Sequence, residues 1–113
     1  MNHSRLLALA IAATTLPAFA APEVAKPEKA GTCAACHGET GVSANGMYPT
    51  IAGQYANYLE HSLKAYRQGT RKNAIMGAQA VNLTDAEIKQ LSAWYAAQQG
   101  PLYTLSVHGD LKQ

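Results

Sequence analysis

Cys33-Ala34-Ala35-Cys36-His37 decides how the rest of this chain is read. Two thiols three positions apart fall on one helical turn, where each can add across a vinyl group of a porphyrin. The histidine that follows at once is placed to bind the iron of that macrocycle. This spacing is the attachment pattern of a c-type haem. The pattern also uses both of the chain's cysteines, so no other thiol chemistry competes with it.

Three other uses of the motif compete with haem attachment. A thioredoxin-like redox pair wants a strand before it and a helix after it. Here Lys26-Pro27-Glu28-Lys29-Ala30-Gly31-Thr32 precedes it, which is not strand-like, and a long loop follows. A tetrahedral zinc site needs four ligands, and the chain holds no second Cys/His pair at matching spacing. A plain disulfide leaves His37 without a role. Haem attachment accounts for all three residues.

Working outward, the N-terminus reads as an export signal. Arg5 supplies positive charge, residues 6–16 form an apolar run, and Ala18-Phe19-Ala20 fits a small-x-small cleavage site. That run is shorter than the roughly 20 apolar residues a bilayer span requires. A cleaved signal over residues 1–20, with the mature chain starting at Ala21, implies a periplasmic protein and leaves no stable membrane span. Its removal leaves about 90 residues, one small domain of the size that often needs a metal or cofactor for firm stability. Nine Lys and Arg against seven Asp and Glu give no basic face for nucleic acid.

Residues 21–28 read as a flexible lead-in, with Pro27 in the first turn of a short helix that runs into the haem motif. From Gly38 to Gly53 the chain is dense in turn residues, including Asn45-Gly46 and Pro49. A loop of that length in so small a domain usually serves a site. Next, Tyr55, Tyr58, Leu59, Ser62, Leu63 and Tyr66 recur at helical steps on one face, with Gly69 as terminator. The opposite face, Asn57, Glu60, His61, Lys64 and Gln68, reads as solvated. Residues 70–83 lack a clean period and read as loop with at most one helical turn. Thr84 and Glu87 form a capping box before the stripe Ile88, Leu91, Trp94 and Tyr95, and Gly100-Pro101 is the stop signal. Residues 102–113 alternate weakly and fit either an extended segment or a disordered tail.

An electron-carrying iron wants six ligands, so a second axial donor is needed beyond His37. Met47, Met76, His61 and His108 are available. Met47 lies ten residues after His37, on the loop expected to cover the histidine side. Met76 follows an intervening helix and can reach the opposite face of the macrocycle, which favours it. His61 falls on the polar helix face and His108 in the uncertain tail. A neutral thioether stabilises ferrous iron and raises the potential relative to a second imidazole.

With these residues in order, the chain resembles a class I c-type cytochrome of the small bacterial periplasmic kind, and also one half of the di-haem members. The matching residues are Cys33-Ala-Ala-Cys36-His37-Gly38, Tyr48-Pro49, Gly53-Gln54, Tyr58-Leu59, Leu63, Tyr66, Gly69 and Arg71. They continue through Met76, Ala80, Leu83-Thr84, Glu87-Ile88 and Tyr95. Residues 29–99 are covered.

The resemblance implies an all-α cytochrome c fold, three to five helices wrapped around one covalently bound haem c, over residues 29–100. It implies thioethers at Cys33 and Cys36, axial iron ligands His37 and Met76, a Pro49 carbonyl bonded to the His37 ring N–H, and Arg71 near the propionates with some of Tyr48, Gln54, Tyr58 and Tyr66. First and last helices are expected to cross near Gly31, against Trp94 and Tyr95. The implied function is periplasmic electron transfer rather than catalysis. Its redox partners would be periplasmic dehydrogenases, membrane cytochrome complexes or oxidases. The extension over residues 101–113 departs from the family pattern and opens an alternative, a haem subunit fixed to a periplasmic dehydrogenase or oxidoreductase complex.

Overall fold

The computed structural model describes residues 23–102, which form four helices and no strand: α1 Ala30–His37, α2 Ala56–Gln68, α3 Ala74–Ala80 and α4 Asp85–Ala97. The export signal, its cleavage point, His108 and all but the first two residues of the C-terminal extension lie outside the described residues.

α1 begins later than Pro27 predicts. The amides of Ala30, Gly31 and Thr32 bond to the carbonyls of Pro27, Glu28 and Lys29 at 3.0, 3.3 and 3.2 Å, a tight i to i+3 turn. Pro27 therefore opens that turn, and regular helix starts three residues on. Gly38 closes the helix at φ +83°, its amide bonded to the Ala34 carbonyl at 2.9 Å.

The following loop is pinched at Gly41, whose carbonyl accepts the amides of Ile51 at 2.8 Å and Ala52 at 3.0 Å. A Cβ on Gly41 would sit 2.7 Å from the Tyr95 ring, and its φ of +84° suits glycine alone. The Gly53 amide then bonds to the Tyr95 carbonyl at 3.0 Å, tying the loop's end to α4.

α2 buries Leu59 and Ser62 and ends at Gly69 in the left-handed region, as its periodicity predicts. Its outer face departs from expectation at one pair. Glu60 and Lys64 are half-buried and bonded to each other at 2.6 Å, while Asn57, His61 and Gln68 are exposed.

The stretch expected to be loop contains α3, which carries Met76. Seven residues of Ala, Ile, Met, Gly and Gln give no apolar stripe to read, because only Ala80 is buried. The helix exists through its cap. The Asn73 side chain accepts the Met76 amide at 2.9 Å.

α4 begins with the predicted capping box, both reciprocal bonds present between Thr84 and Glu87. It ends at Ala97, before the Gly100-Pro101 signal, with Gln98 extended. The early exit lets the chain return over the loop, where a Cβ on Gly100 would lie 2.9 Å from that of Ala52.

The core joins Ala30, Leu59, Leu91 and Tyr95, with Cys33, Ile51, Leu63, Leu83 and Trp94 packed against it. Tyr95 donates its hydroxyl to the Ala30 carbonyl at 3.3 Å. The approach of α1 to α4, expected near Gly31, is made through the neighbouring Ala30, which is fully buried, while Gly31 itself is exposed. The reason is side-chain contact: the Ala30 methyl reaches the core, and nothing lies within 4 Å of where a Gly31 Cβ would stand.

Candidate haem site

Residues from all four helices and from the loop between Gly38 and Gly53 enclose a cavity of about 240 Å³. Its walls are largely apolar, with Ile51, Leu59, Leu63, Leu91 and Tyr95 among them. Cys33 and His37 of the attachment motif and Met76, far downstream in sequence, meet on this one space.

α1 delivers the attachment motif. Cys33 packs on the core, and its thiol lies 3.5 Å from the Lys29 carbonyl. Burial pushes the Cys33 thiol pKa up, partly opposed by the Tyr95 hydroxyl. Burial likewise raises the Tyr95 phenol, so both groups stay protonated at neutral pH. Cys36 is half-buried one turn on, outside the cavity wall. Neither cysteine is in a disulfide.

His37, buried at the end of the same helix, faces the cavity. Its Nδ1 stands 2.8 Å from the Pro49 carbonyl. A carbonyl only accepts, so Nδ1 carries a proton, and in the neutral ring Nε2 is the nitrogen with the lone pair. The loop supporting Pro49 is itself braced. Ser43 Oγ contacts the carbonyls of Cys36 and Asn45 at 3.4 and 2.8 Å, and the Tyr48 amide bonds to the Asn45 carbonyl at 3.1 Å.

Among the other candidates, Met76 lines the cavity and is half-buried, whereas Met47 is 76 % exposed and lies outside it. His61 is exposed on the far side of α2. Arg71 lies at the rim, its Nη1 3.1 Å from Ser62 Oγ and 3.4 Å from the Tyr58 hydroxyl, its guanidinium 4.9 Å above the Tyr66 ring centre. The Arg71 hydrogen bond holds the Tyr58 phenol below its ordinary pKa. Gln54 and Tyr58 join Arg71 on the cavity wall, and Tyr48 does not.

Two contributions escaped the sequence reading. Arg67 bonds the Leu83 carbonyl at 2.7 Å and the Asp85 carboxylate at 2.6 Å, tying α2 to the start of α4. Ser92 lies on the cavity wall, 1 % exposed, and its Oγ has no hydrogen-bond partner among the described residues. Its signal was a polar residue on the buried side of the Ile88, Leu91 and Tyr95 stripe.

The residues fit a haem. The cavity has a thiol and an imidazole with a free ring nitrogen on one side and a thioether on α3. Its walls are apolar, and the guanidinium and phenol stand at the exposed rim, where carboxylates would be solvated. Among the described residues no group of three or more His, Cys, Asp or Glu side chains is arranged to hold a metal ion directly. The sequence model of the family described as Cytochrome c matches residues 28–97.

The chain belongs to the cytochrome c family.

Its relatives agree. The cytochrome is 45 % identical over 75 residues to cytochrome c-554(548) of Halomonas halodenitrificans, covering 64 % of this chain and 90 % of that one. It is 42 % identical over 67 residues to a thiosulfate dehydrogenase electron acceptor of Stutzerimonas stutzeri, covering 57 % of this chain and 31 % of the relative. With cytochrome c4 of Thiocapsa roseopersicina it shares 39 % over 84 residues, 70 % of this chain and 43 % of that one. The chain thus spans less than half the length of the latter two. The cytochrome is a class I c-type electron-transfer protein with a haem c attached through Cys33 and Cys36. No described helix is long and apolar enough to cross a membrane.

Proposed function

We propose that this cytochrome is an exported single-haem electron carrier of the periplasm, with His37 and Met76 as axial iron ligands, acting as a carrier and not as an enzyme. In this reading residues 1–20 are a cleaved signal, 21–28 a lead-in, 29–100 the haem domain and 101–113 an extension. When bound, the haem supplies one-electron chemistry between ferric and ferrous iron.

The chain's own residues bind, orient and exclude water. The Pro49 carbonyl holds the proton on His37 Nδ1, which fixes the tautomer and raises the basicity of Nε2. Met76 offers a neutral thioether, a donor that favours the ferrous state and raises the potential. Arg71, positioned by Ser62 and Tyr58, is set to hold a propionate at the rim. Ile51, Leu59, Leu63 and Leu91 keep the cavity dry. Donor and acceptor are met at the rim through a small, transient interface steered by charge.

The observation that carries this reading is the meeting of Cys33, the Pro49-bonded His37 and Met76 on one apolar cavity. Absorption spectra of the ferric protein test the ligand pair. The weak far-red band of thioether ligation should vanish in Met76→Ala and persist in Met47→Ala. Persistence in Met76→Ala removes the assignment.

Periplasmic dehydrogenases are the proposed electron donors, and membrane cytochrome complexes or oxidases the acceptors. A relative named as the electron acceptor of thiosulfate dehydrogenase supports a dehydrogenase donor. A relative of Chlorobaculum tepidum named as the cytochrome subunit of sulfide dehydrogenase favours a second reading, a haem subunit held permanently in such a complex. Size-exclusion chromatography of the exported protein separates them, since a free carrier elutes at the size of a lone small domain.

A further inference from the structure

Ser92 stands apart among the cavity residues. It is 1 % exposed, its Oγ is sealed from solvent, and no donor or acceptor among the described residues reaches it. Its neighbours on the inner side of α4 are Ile88, Leu91 and Tyr95, all buried. A buried hydroxyl without a partner lowers stability relative to a satisfied one. Alanine, a better helix former, would remove that cost.

We infer that Ser92 sets the reduction potential of the haem, as an unrestrained hydroxyl dipole buried in the wall of the cofactor cavity. This rests on the cavity taking the haem. Oxidation adds one positive charge to the cofactor. A hydroxyl locked in a hydrogen bond answers that charge weakly. One with no partner turns about its C–O bond and presents its oxygen to the charge. In an apolar cavity little solvent screens that interaction. The gain is one-sided, because the ferrous core has no matching charge to stabilise. Ser92 therefore favours the ferric form and holds the potential below the value an all-apolar wall would give. Hydrogen bonding and polarity around the cofactor are the protein's ordinary means of setting a potential. Arg71 and Tyr58 act from the exposed rim, where water competes. Ser92 acts from the buried wall.

Redox potentiometry on the exported, haem-loaded protein tests this, comparing the parent with Ser92→Ala and Ser92→Thr. Ser92→Ala is expected to shift the midpoint upward, with the far-red ferric band intact and the melting temperature unchanged or higher. Ser92→Thr, which keeps the hydroxyl, is expected to stay closer to the parent than Ser92→Ala does. An unchanged or lowered midpoint in Ser92→Ala overturns the inference. So does a clear drop in its melting temperature, which would mean the hydroxyl holds a structural bond. Intact mass of the parent keeps the two proposals separate. A parent without an added haem defeats the proposed function itself, whereas a loaded parent with a flat potential series defeats only the role of Ser92.

Discussion

His37 meets two requirements through its two ring nitrogens. Nδ1 is committed to the Pro49 carbonyl at 2.8 Å, which leaves Nε2 as the lone-pair donor toward the cavity. Arg67 also bonds beyond its own helix, capturing both the Leu83 carbonyl and the Asp85 carboxylate. Arg67→Ala is expected to cost about 1–3 kcal/mol in chemical denaturation, since a charged donor to a half-buried carbonyl is lost. The same variant should raise the Asp85 titration midpoint seen by NMR, because Arg67 holds that carboxyl below its ordinary range. A group whose folded pKa is depressed contributes stability above its unfolded value and loses it as pH falls through the folded one. The Asp85 contribution is therefore intact at neutral pH and fades only below the ordinary aspartate range. An Asp85 midpoint that stays put in Arg67→Ala would show that this pair does not control it.

The helices differ in what holds them. α4 has a complete capping box, and its carboxylate at Glu87 is held below the usual range by the Thr84 amide and hydroxyl. Thr84→Ala should cost about 1 kcal/mol of global stability, within the usual range for a lost cap. α3 is seven residues long, buries only Ala80, and depends on Asn73 for its start. So short a helix has little intrinsic stability in water, where even Ala-rich segments need roughly 12 residues or more. Asn73→Ala is thus expected to act locally, weakening the hold on Met76 by on the order of 1 kcal/mol. In a thermal series the far-red ferric band should then fade at a lower temperature than far-UV circular dichroism. Asn73→Asp, which can still cap, should restore it. Coincident loss of both signals in Asn73→Ala would mean that α3 does not move independently.

At the scale of the whole molecule, a domain with few fully buried large side chains encloses a cavity of about 240 Å³ at its centre. Among the described residues Ile88 and Leu91 are the largest fully buried apolar side chains, and Leu91 also forms part of the cavity wall. Leu91→Ala should destabilise the haem-loaded protein by about 2–5 kcal/mol, the range for removing a leucine from a packed core. Without the cofactor, little apolar surface remains to offset chain entropy in so small a domain. The Cys33→Ala, Cys36→Ala double variant should accordingly lose its cooperative thermal transition. A sharp melt in that variant would show that the polypeptide core is sufficient by itself.

The order of residues alone determined the cofactor and the helix ends that local capping sets, at Gly69 and Thr84. Cys33, Cys36 and His37 are adjacent, so covalent geometry brings them together whatever the rest of the chain does. Thr84 with Glu87, and Gly69 after its helix, act within one turn of backbone and are equally legible. The tertiary structure decided what depends on distant partners. Which methionine reaches the cavity, where α1 meets α4, and the existence of α3 all rest on contacts between segments far apart in the chain. The Pro49 carbonyl meets His37 where the Gly41 carbonyl, accepting the Ile51 and Ala52 amides, folds the loop back on itself. Ser92 is an ordinary helix residue by composition. Only packing against the cavity isolates its hydroxyl.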